Sequence, residues 1–189
     1  MKTTNIMIVG VGGQGTLLAS RILGNAVIRQ GHDVKVSEVH GMSQRGGSVV
    51  TYVKYGEEVQ SPIIDKGEAD IILAFELLEA YRALPWLKKG GKIIVNEQKI
   101  NPMPVITGAA KYPENILEKL REVVDVTSLD ALSLAMQAGT AKAANVVLIG
   151  VMAKSTSIPY EEWIETVRAS VPPKFVDVNV KAFELGYNL

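Results

Sequence analysis

Asn5-Ile6-Met7-Ile8-Val9-Gly10-Val11-Gly12-Gly13-Gln14-Gly15-Thr16 is the stretch that decides the fold. Residues 5–9 are a short apolar run that ends in glycines, which reads as a buried strand. The run is too short for a signal-peptide core or a membrane span. Residues 10–15 form a turn. From 16 to 30 apolar residues recur at helical spacing (Ala19, Ile22, Leu23, Ala26, Val27), and Gly31 stops that helix. Residues 33–39 read as a second strand, with Val34 and Val36 on one face. Strand, glycine turn, helix and strand make a βαβ unit, the opening of an α/β fold.

The next segment breaks the rhythm. Residues 41–47 are polar and glycine-rich, and 48–55 read as a strand through Val49, Val50, Thr51, Tyr52 and Val53. A parallel connection needs a dozen or more residues, and this one is too short. The third strand therefore runs antiparallel to the second or leaves the sheet, which makes the sheet mixed. Further along, 70–74 and 92–96 read as strands, the latter entered through a Gly90-Gly91 turn. A helix over 76–87 is bent or ended by Pro85. Pro102, Pro104 and Pro113 mark a loop around a short extended piece, Val105-Ile106. A helix over 114–122 precedes a last strand at 123–126. Helices follow at 129–138, 141–154, 160–169 and 178–185, the last stopped by Gly186. The expectation is an α/β, Rossmann-like three-layer fold with a mixed, mostly parallel sheet and a helical C-terminal third, residues 1–189 forming a single domain.

Composition removes several function classes. Lys and Arg number 20 and Asp and Glu 20, so the formal net charge is zero, which argues against nucleic-acid binding through bulk charge. Cysteine is absent, so this chain cannot form a disulfide, supply a thiolate nucleophile or ligate an iron–sulfur cluster through cysteine. The two histidines, His32 and His40, leave little for a histidine metal site, and none is expected. With no targeting or membrane segment in view, the cytoplasm is the expected compartment.

Two motifs carry chemistry. Gly10-x-Gly12-x-x-Gly15 follows a strand and opens a helix, where glycines let a ligand approach the backbone and the helix N-terminus offers unpaired N–H groups and a positive dipole end. Gly12, Gly13, Gln14 and Gly15 are the candidate binding residues here. A dinucleotide site also wants an acid near the end of the second strand, and Glu38 stands there. A Walker phosphate loop is excluded because Thr16 occupies the lysine position. The same turn also occurs where a helix merely packs tightly on a strand.

The second motif is Ser37-Glu38-Val39-His40-Gly41-Met42-Ser43-Gln44-Arg45-Gly46-Gly47. Glu38 and His40 lie two apart, hence on one face while the strand lasts. Histidine titrates near neutrality, and arginine is a fork for carboxylate or phosphate. Glu38, Ser43, Gln44, Gly46 and Gly47 are candidate binding residues; His40 and Arg45 are candidates for a supporting catalytic role. The bland alternative is a polar loop ordered by a Glu38–Arg45 pair. Elsewhere the helix at 141–154 is apolar nearly all round, which means burial, and Asn145 within it then needs a polar partner. Trp86 and Trp163 read as core or interface anchors, and Glu161-Glu162 as a solvated first helical turn. No Ser–His–Asp signature, His-Glu-x-x-His or Gly-Asp-Gly occurs.

Taken together, Gly10-Val11-Gly12-Gly13-Gln14-Gly15 and the run from Ser37 through Gly46-Gly47-Ser48-Val49 resemble the gamma-type domain of the 2-oxoacid:ferredoxin oxidoreductases. The likeness covers nearly the whole chain, including the helix of Asn145 and the ending Asn179-Val180-Lys181-Ala182-Phe183-Glu184-Leu185-Gly186-Tyr187. The resemblance implies a non-autonomous subunit. A large alpha subunit would carry thiamine diphosphate and iron–sulfur clusters, with none of these held by this chain. The assembly would oxidatively decarboxylate an arylpyruvate such as indolepyruvate to an aryl-acetyl-CoA and pass electrons to ferredoxin. This chain would help to shape the active-site and coenzyme A region. Two other classes stay open: a free-standing NAD- or FAD-binding protein using Gly10, Gly12, Gly15 and Glu38, and a structural module whose loops only dock a partner.

Overall fold

The structure is a computed structural model that describes residues 3–41 and 46–189. Its centre is β1, Thr4–Val11, whose last six residues are buried. The other strands are β2 (Asp33–His40), β3 (Ser48–Gly56), β4 (Ala69–Ala74), β5 (Leu87–Asn96) and β6 (Asp125–Leu129), in the sheet order β2-β3-β1-β4-β5-β6. β1, β4, β5 and β6 are mutually parallel. β3 is antiparallel to β2, as its short connection requires, and also to β1. The sheet is therefore mixed and mostly parallel. One feature departs from a simple βαβ unit: β1 and β2 are parallel, but β3 stands between them.

Helices cover both faces. On one lie α1 (Thr16–Arg29), α5 (Ala131–Ala138), α6 (Ala144–Ala153), α7 (Tyr160–Ser170) and α8 (Val176–Tyr187). They bury Ile22, Leu23, Ala135, Val147, Trp163 and Phe183 with Ile6, Ile8, Val53, Leu73 and Ile94 of the sheet. On the other face α2 (Leu77–Ala83) and α4 (Ile116–Arg121) bury Leu77, Ala80, Ile116 and Leu120 with Met7, Val9, Ile72, Ile93 and Val95. The alternation of Ile6 and Ile8 against Met7 and Val9 is the period-2 signature of a strand buried on both sides. The helix after β1 lies on one face and the helix after β4 on the other, so the chain diverges at the carboxyl ends of these neighbours. That divergence opens the crevice in which open α/β sheets hold ligands.

Several boundaries differ from expectation, each for a local reason. Val105-Ile106 is helical, not extended: it belongs to α3 (Met103–Ile106), closed by Ile106 N–H to Pro102 O at 3.1 Å and Thr107 N–H to Met103 O at 2.9 Å. The last strand is Asp125–Leu129 rather than 123–126, because the Val123 and Val124 N–H groups both turn back to Leu120 O and finish α4. α2 ends at Ala83, a 3₁₀ turn carries Pro85, and β5 already begins at Leu87, so Gly90-Gly91 lies within a strand. A side chain at Gly91 would crowd the Ala69 and Asp70 carbonyls, both 3.0 Å from a Cβ there. Asp130 caps α5 by accepting from Ser133 N–H at 3.0 Å, so that helix starts at Ala131. The Ser133 hydroxyl and then its backbone N–H, both bonded to the Asp130 carboxyl, hold that group below its usual range.

Gly186 does not stop the last helix; it lies inside α8 and faces Gly150 of α6 across a close crossing. A Cβ at Gly150 would collide with the Phe183 carbonyl, and one at Gly186 with the Val147 carbonyl. Helix propensity alone predicts that alanine at either position stabilises by about 1 kcal/mol. Packing reverses the sign, because backbone carbonyls cannot swing aside. Gly150→Ala and Gly186→Ala should each destabilise the chain by about 1–3 kcal/mol. A fall in the urea midpoint with unchanged slope is the expected result.

Candidate functional site

The glycine turn is built where β1 runs out. Gly13 has φ 103° and Gly15 φ 85°, both in the left-handed region that favours glycine. Gly15 is the N-cap of α1 and provides no side chain to bond the first helical N–H groups. A Cβ at Gly15 would come within 2.6 Å of Asn145 Nδ2. Asn145 is 4% exposed and backs the turn: its Nδ2 donates to Gly15 O at 3.3 Å and its Oδ1 accepts from Val146 N–H at 2.9 Å. The buried polar group on the apolar helix therefore has its partners.

Gln14 points under the turn. Its Oε1 accepts from Val11 N–H at 2.7 Å, and its Nε2 donates to Phe75 O at 2.9 Å and Gln98 Oε1 at 3.0 Å. Asn96 Nδ2 donates to the same two acceptors, at 3.2 and 3.3 Å, and Asn96 Oδ1 accepts from Ala131 N–H at 3.0 Å. Three carboxamides thus tie together the carboxyl ends of β1, β4 and β5.

The two motifs meet through the backbone. Gly12 N–H donates to Gly47 O at 2.8 Å and Gly46 N–H donates to Gly12 O at 3.3 Å, continuing the β1–β3 ladder past the Val11–Ser48 pair. Glu38 and His40 share a face and, with Gly13, Gly15, Thr16 and Leu17, line a hollow of about 380 Å³. Glu38 Oε2 accepts from Thr51 Oγ1 at 3.4 Å, and His40 Nδ1 lies 3.0 Å from Gly41 O. Ser43, Gln44 and Arg45 lie outside the described residues, and the Glu38–Arg45 pairing with them.

A second hollow, of about 470 Å³, lies on the other side of the turn at the β1/β4 divergence. Gly13, Gln14, Gly15, Phe75, Asn96 and Gln98 line it with Leu132, Leu148 and Lys142. Lys142 is the cation of this crevice, and no salt bridge engages it among the described residues. Nothing in the spacing of the sequence pointed to it; it precedes the apolar helix on a 3₁₀ turn. A larger hollow, about 810 Å³, is lined by Lys92, Ile94, Thr127 and Lys154 at the β5–β6 edge and touches neither motif. Residue chemistry rather than volume therefore locates the site.

The geometry bears on the dinucleotide alternative. That site needs the acidic strand beside the glycine-turn strand. Here β3 intervenes, and Glu38 lies opposite Thr51, which itself lies opposite Ile8. Two strand spacings, about 10 Å, separate the Glu38 backbone from β1. Among the described residues no group of three or more His, Cys, Asp or Glu side chains is placed to hold a metal ion, and no helix is long and apolar enough to cross a membrane.

Comparison with known proteins agrees with this architecture. Residues 5–189 match the family model described as pyruvate ferredoxin/flavodoxin oxidoreductase, and the chain belongs to that family. Within it, the chain is 48% identical to the indolepyruvate oxidoreductase subunit IorB of Thermococcus kodakarensis, over 98% of this chain and 95% of the relative. It is 39% identical to the subunit of the same name from Methanothermobacter thermautotrophicus, over 97% and 95%. Among solved structures it superimposes on the gamma subunit of a keto/oxoacid ferredoxin oxidoreductase from Geobacter sulfurreducens with a TM-score of 0.73 at 26% identity, covering 98% of this chain and 96% of that one. A 2-oxoglutarate:ferredoxin oxidoreductase chain from Magnetococcus marinus shares the fold with a TM-score of 0.73 at 18% identity; all of this chain matches 31% of that one. The chain is thus a subunit-type member of an oxidoreductase family, similar along its length to IorB subunits.

Gln14→Ala should leave the Val11 N–H without its acceptor and uncouple the strand ends. The expected loss is about 1–3 kcal/mol of stability, read as a lower urea midpoint with far-UV circular dichroism retained.

Proposed function

We propose that the chain is the small, non-autonomous subunit of a thiamine-diphosphate-dependent 2-oxoacid:ferredoxin oxidoreductase acting on indolepyruvate or a related arylpyruvate. The product is the aryl-acetyl-CoA, with electrons passed to ferredoxin. The whole chain acts as one gamma-type domain, in the cytoplasm, against a large alpha subunit. The observation that carries this reading is the union of two motifs by the Gly12–Gly46/Gly47 backbone pair, with a hollow on each side of the turn. The full-length similarity to IorB subunits supports the substrate class and the heteromer.

The residues present do not suit every group that the reaction uses. No cysteine stands anywhere in the chain to ligate a cluster, and no Gly-Asp-Gly occurs. The family resemblance implies that thiamine diphosphate and the iron–sulfur clusters sit on the large subunit, and the absence of cysteine here agrees with that. Coenzyme A, a co-substrate rich in phosphate, suits the turn better. The glycine backbone lets a phosphate approach, the uncapped N-terminus of α1 offers N–H donors and a positive end, and Lys142 adds a charge across the crevice.

The roles divide accordingly. Gly12, Gly13, Gln14 and Gly15 form the turn against the co-substrate, and Glu38, Ser43, Gln44, Gly46 and Gly47 are assigned to its binding from the second motif. Arg45 meets a phosphate or the substrate carboxylate as a bidentate fork. His40 supports a proton-transfer or hydrogen-bond network at the rim.

Reconstitution tests the proposal. The purified chain alone should show no turnover, and mixing it with its large subunit should give CoA-dependent oxidation of indolepyruvate with ferredoxin or a viologen dye as acceptor. In that complex Lys142→Ala and Arg45→Ala should raise the KM for CoA or for the oxo acid on the order of 10- to 100-fold, the worth of one charge-assisted hydrogen bond. His40→Ala should flatten one limb of the pH–rate profile. Stoichiometric uptake of NAD or FAD by the chain alone, in a calorimetric titration, would overturn the reading.

A further inference from the structure

The first turn of α2 buries two carboxylates. Glu76 is 1% exposed and Glu79 5% exposed. Buried carboxylates are costly unless fully bonded, and these two are. Glu76, the N-cap, accepts through Oε2 from Glu79 N–H at 2.9 Å, and through Oε1 from Ile100 N–H at 3.0 Å and the Tyr112 hydroxyl at 2.5 Å. Burial and the adjoining Glu76 carboxylate push the Tyr112 phenol well above its ordinary value, so it remains a donor. Glu79 accepts through Oε2 from Ser48 Oγ at 2.6 Å and through Oε1 from Arg82 Nη1 at 2.6 Å.

The partners of these carboxylates lie on the two flanks of the glycine turn. Ser48 is the first residue of β3 and follows Gly47, whose carbonyl receives the Gly12 N–H. On the other flank Ile100 lies two residues after Gln98, whose carbonyl accepts from Leu77 N–H at 3.1 Å and whose Oε1 accepts from Gln14 Nε2 at 3.0 Å. Residue 12 and residue 14 of the same turn are therefore both referred back to one helical turn of α2. Well-packed apolar residues commonly replace buried ionic groups at no loss of stability. What two bonded carboxylates add here is a fixed geometry for the segments that they hold.

We propose that Glu79 is a positioning residue for the glycine turn. Its carboxylate holds Ser48 and, through Gly47, sets the place of Gly12, while Glu76 holds the opposite flank. This rests on the reading that the turn receives the anionic groups of coenzyme A. Glu79 itself touches no substrate; it acts through Ser48.

Two measurements separate the positioning role from that reading. Amide hydrogen exchange on the full chain reports the position of the turn with no ligand present. Glu79→Ala should speed exchange at Gly12 by about tenfold, as expected for loss of one charge-assisted bond, and leave Phe75 unchanged. Glu79→Gln keeps an oxygen acceptor for Ser48 and should restore most of the protection. Ser48→Ala should reproduce Glu79→Ala, and the double variant should add nothing further. In the reconstituted complex, Glu79→Ala should raise the KM for CoA about tenfold with kcat within about twofold, again with rescue by Glu79→Gln. Unchanged exchange at Gly12 in both Glu79→Ala and Ser48→Ala overturns the positioning role, whatever the kinetics. Faster exchange with an unchanged KM for CoA upholds the positioning and overturns the assignment of the turn to coenzyme A. Should Glu79→Ala fail to fold, Ser48→Ala and Glu79→Gln still decide the matter.

Discussion

β1 carries two ladders at once, antiparallel to β3 on one side and parallel to β4 on the other. The arrangement of the candidate site depends on that double pairing. A strand hydrogen-bonded on both edges and buried on both faces cannot shift register without moving every apolar side chain to the wrong layer. The point at which it ends is consequently fixed, and the glycine turn starts from that point. β3 then begins where β1 ends, which brings Gly46 and Gly47 onto Gly12 without further instruction. Had β2 and β3 exchanged places, as in the dinucleotide-binding order, the acidic strand would adjoin the turn and the Gly46-Gly47 segment would not.

The polar side chains beneath the glycine turn are hydrogen-bonded to one another and to the backbone. Gln14, Asn96 and Gln98 satisfy one another and the ends of three strands, and Glu76 and Glu79 satisfy the segments on either side. In an interior of low dielectric such a network is stiff when complete and costly when broken. The result is a rigid base under a surface made of glycine backbone. Anion recognition by backbone N–H groups requires such a base, because these groups have no side-chain freedom with which to adjust. Lys142 and His40 sit at the rim of this surface on opposite sides of the turn.

The chain holds no cysteine and is 48% identical, over 98% of its length, to an indolepyruvate oxidoreductase subunit IorB. Its formal net charge is zero. The same fold occurs as 31% of a longer chain in the Magnetococcus marinus structure, so this unit is found both as a separate polypeptide and as a segment of a larger one.

Local pattern determined much of this molecule. The period-2 run into Gly10, the helical spacing after Gly15 and the short connection before Ser48 suffice to give an α/β fold with a mixed sheet, since each rests on interactions between near neighbours in the chain. The pairing of Glu38 with His40 on one face follows from strand geometry in the same way. What the sequence leaves open depends on residues far apart. Gly186 reads as a helix stop until Val147 is seen beneath it, and Val123 reads as strand until its N–H is seen to return to Leu120. Lys142 shares a hollow with the glycine turn, and Glu79 meets Ser48, only because the sheet order brings their segments together. Spacing along a chain reports which residues share a face; only tertiary packing decides which faces meet, because burial and hydrogen-bond satisfaction are settled across the whole core.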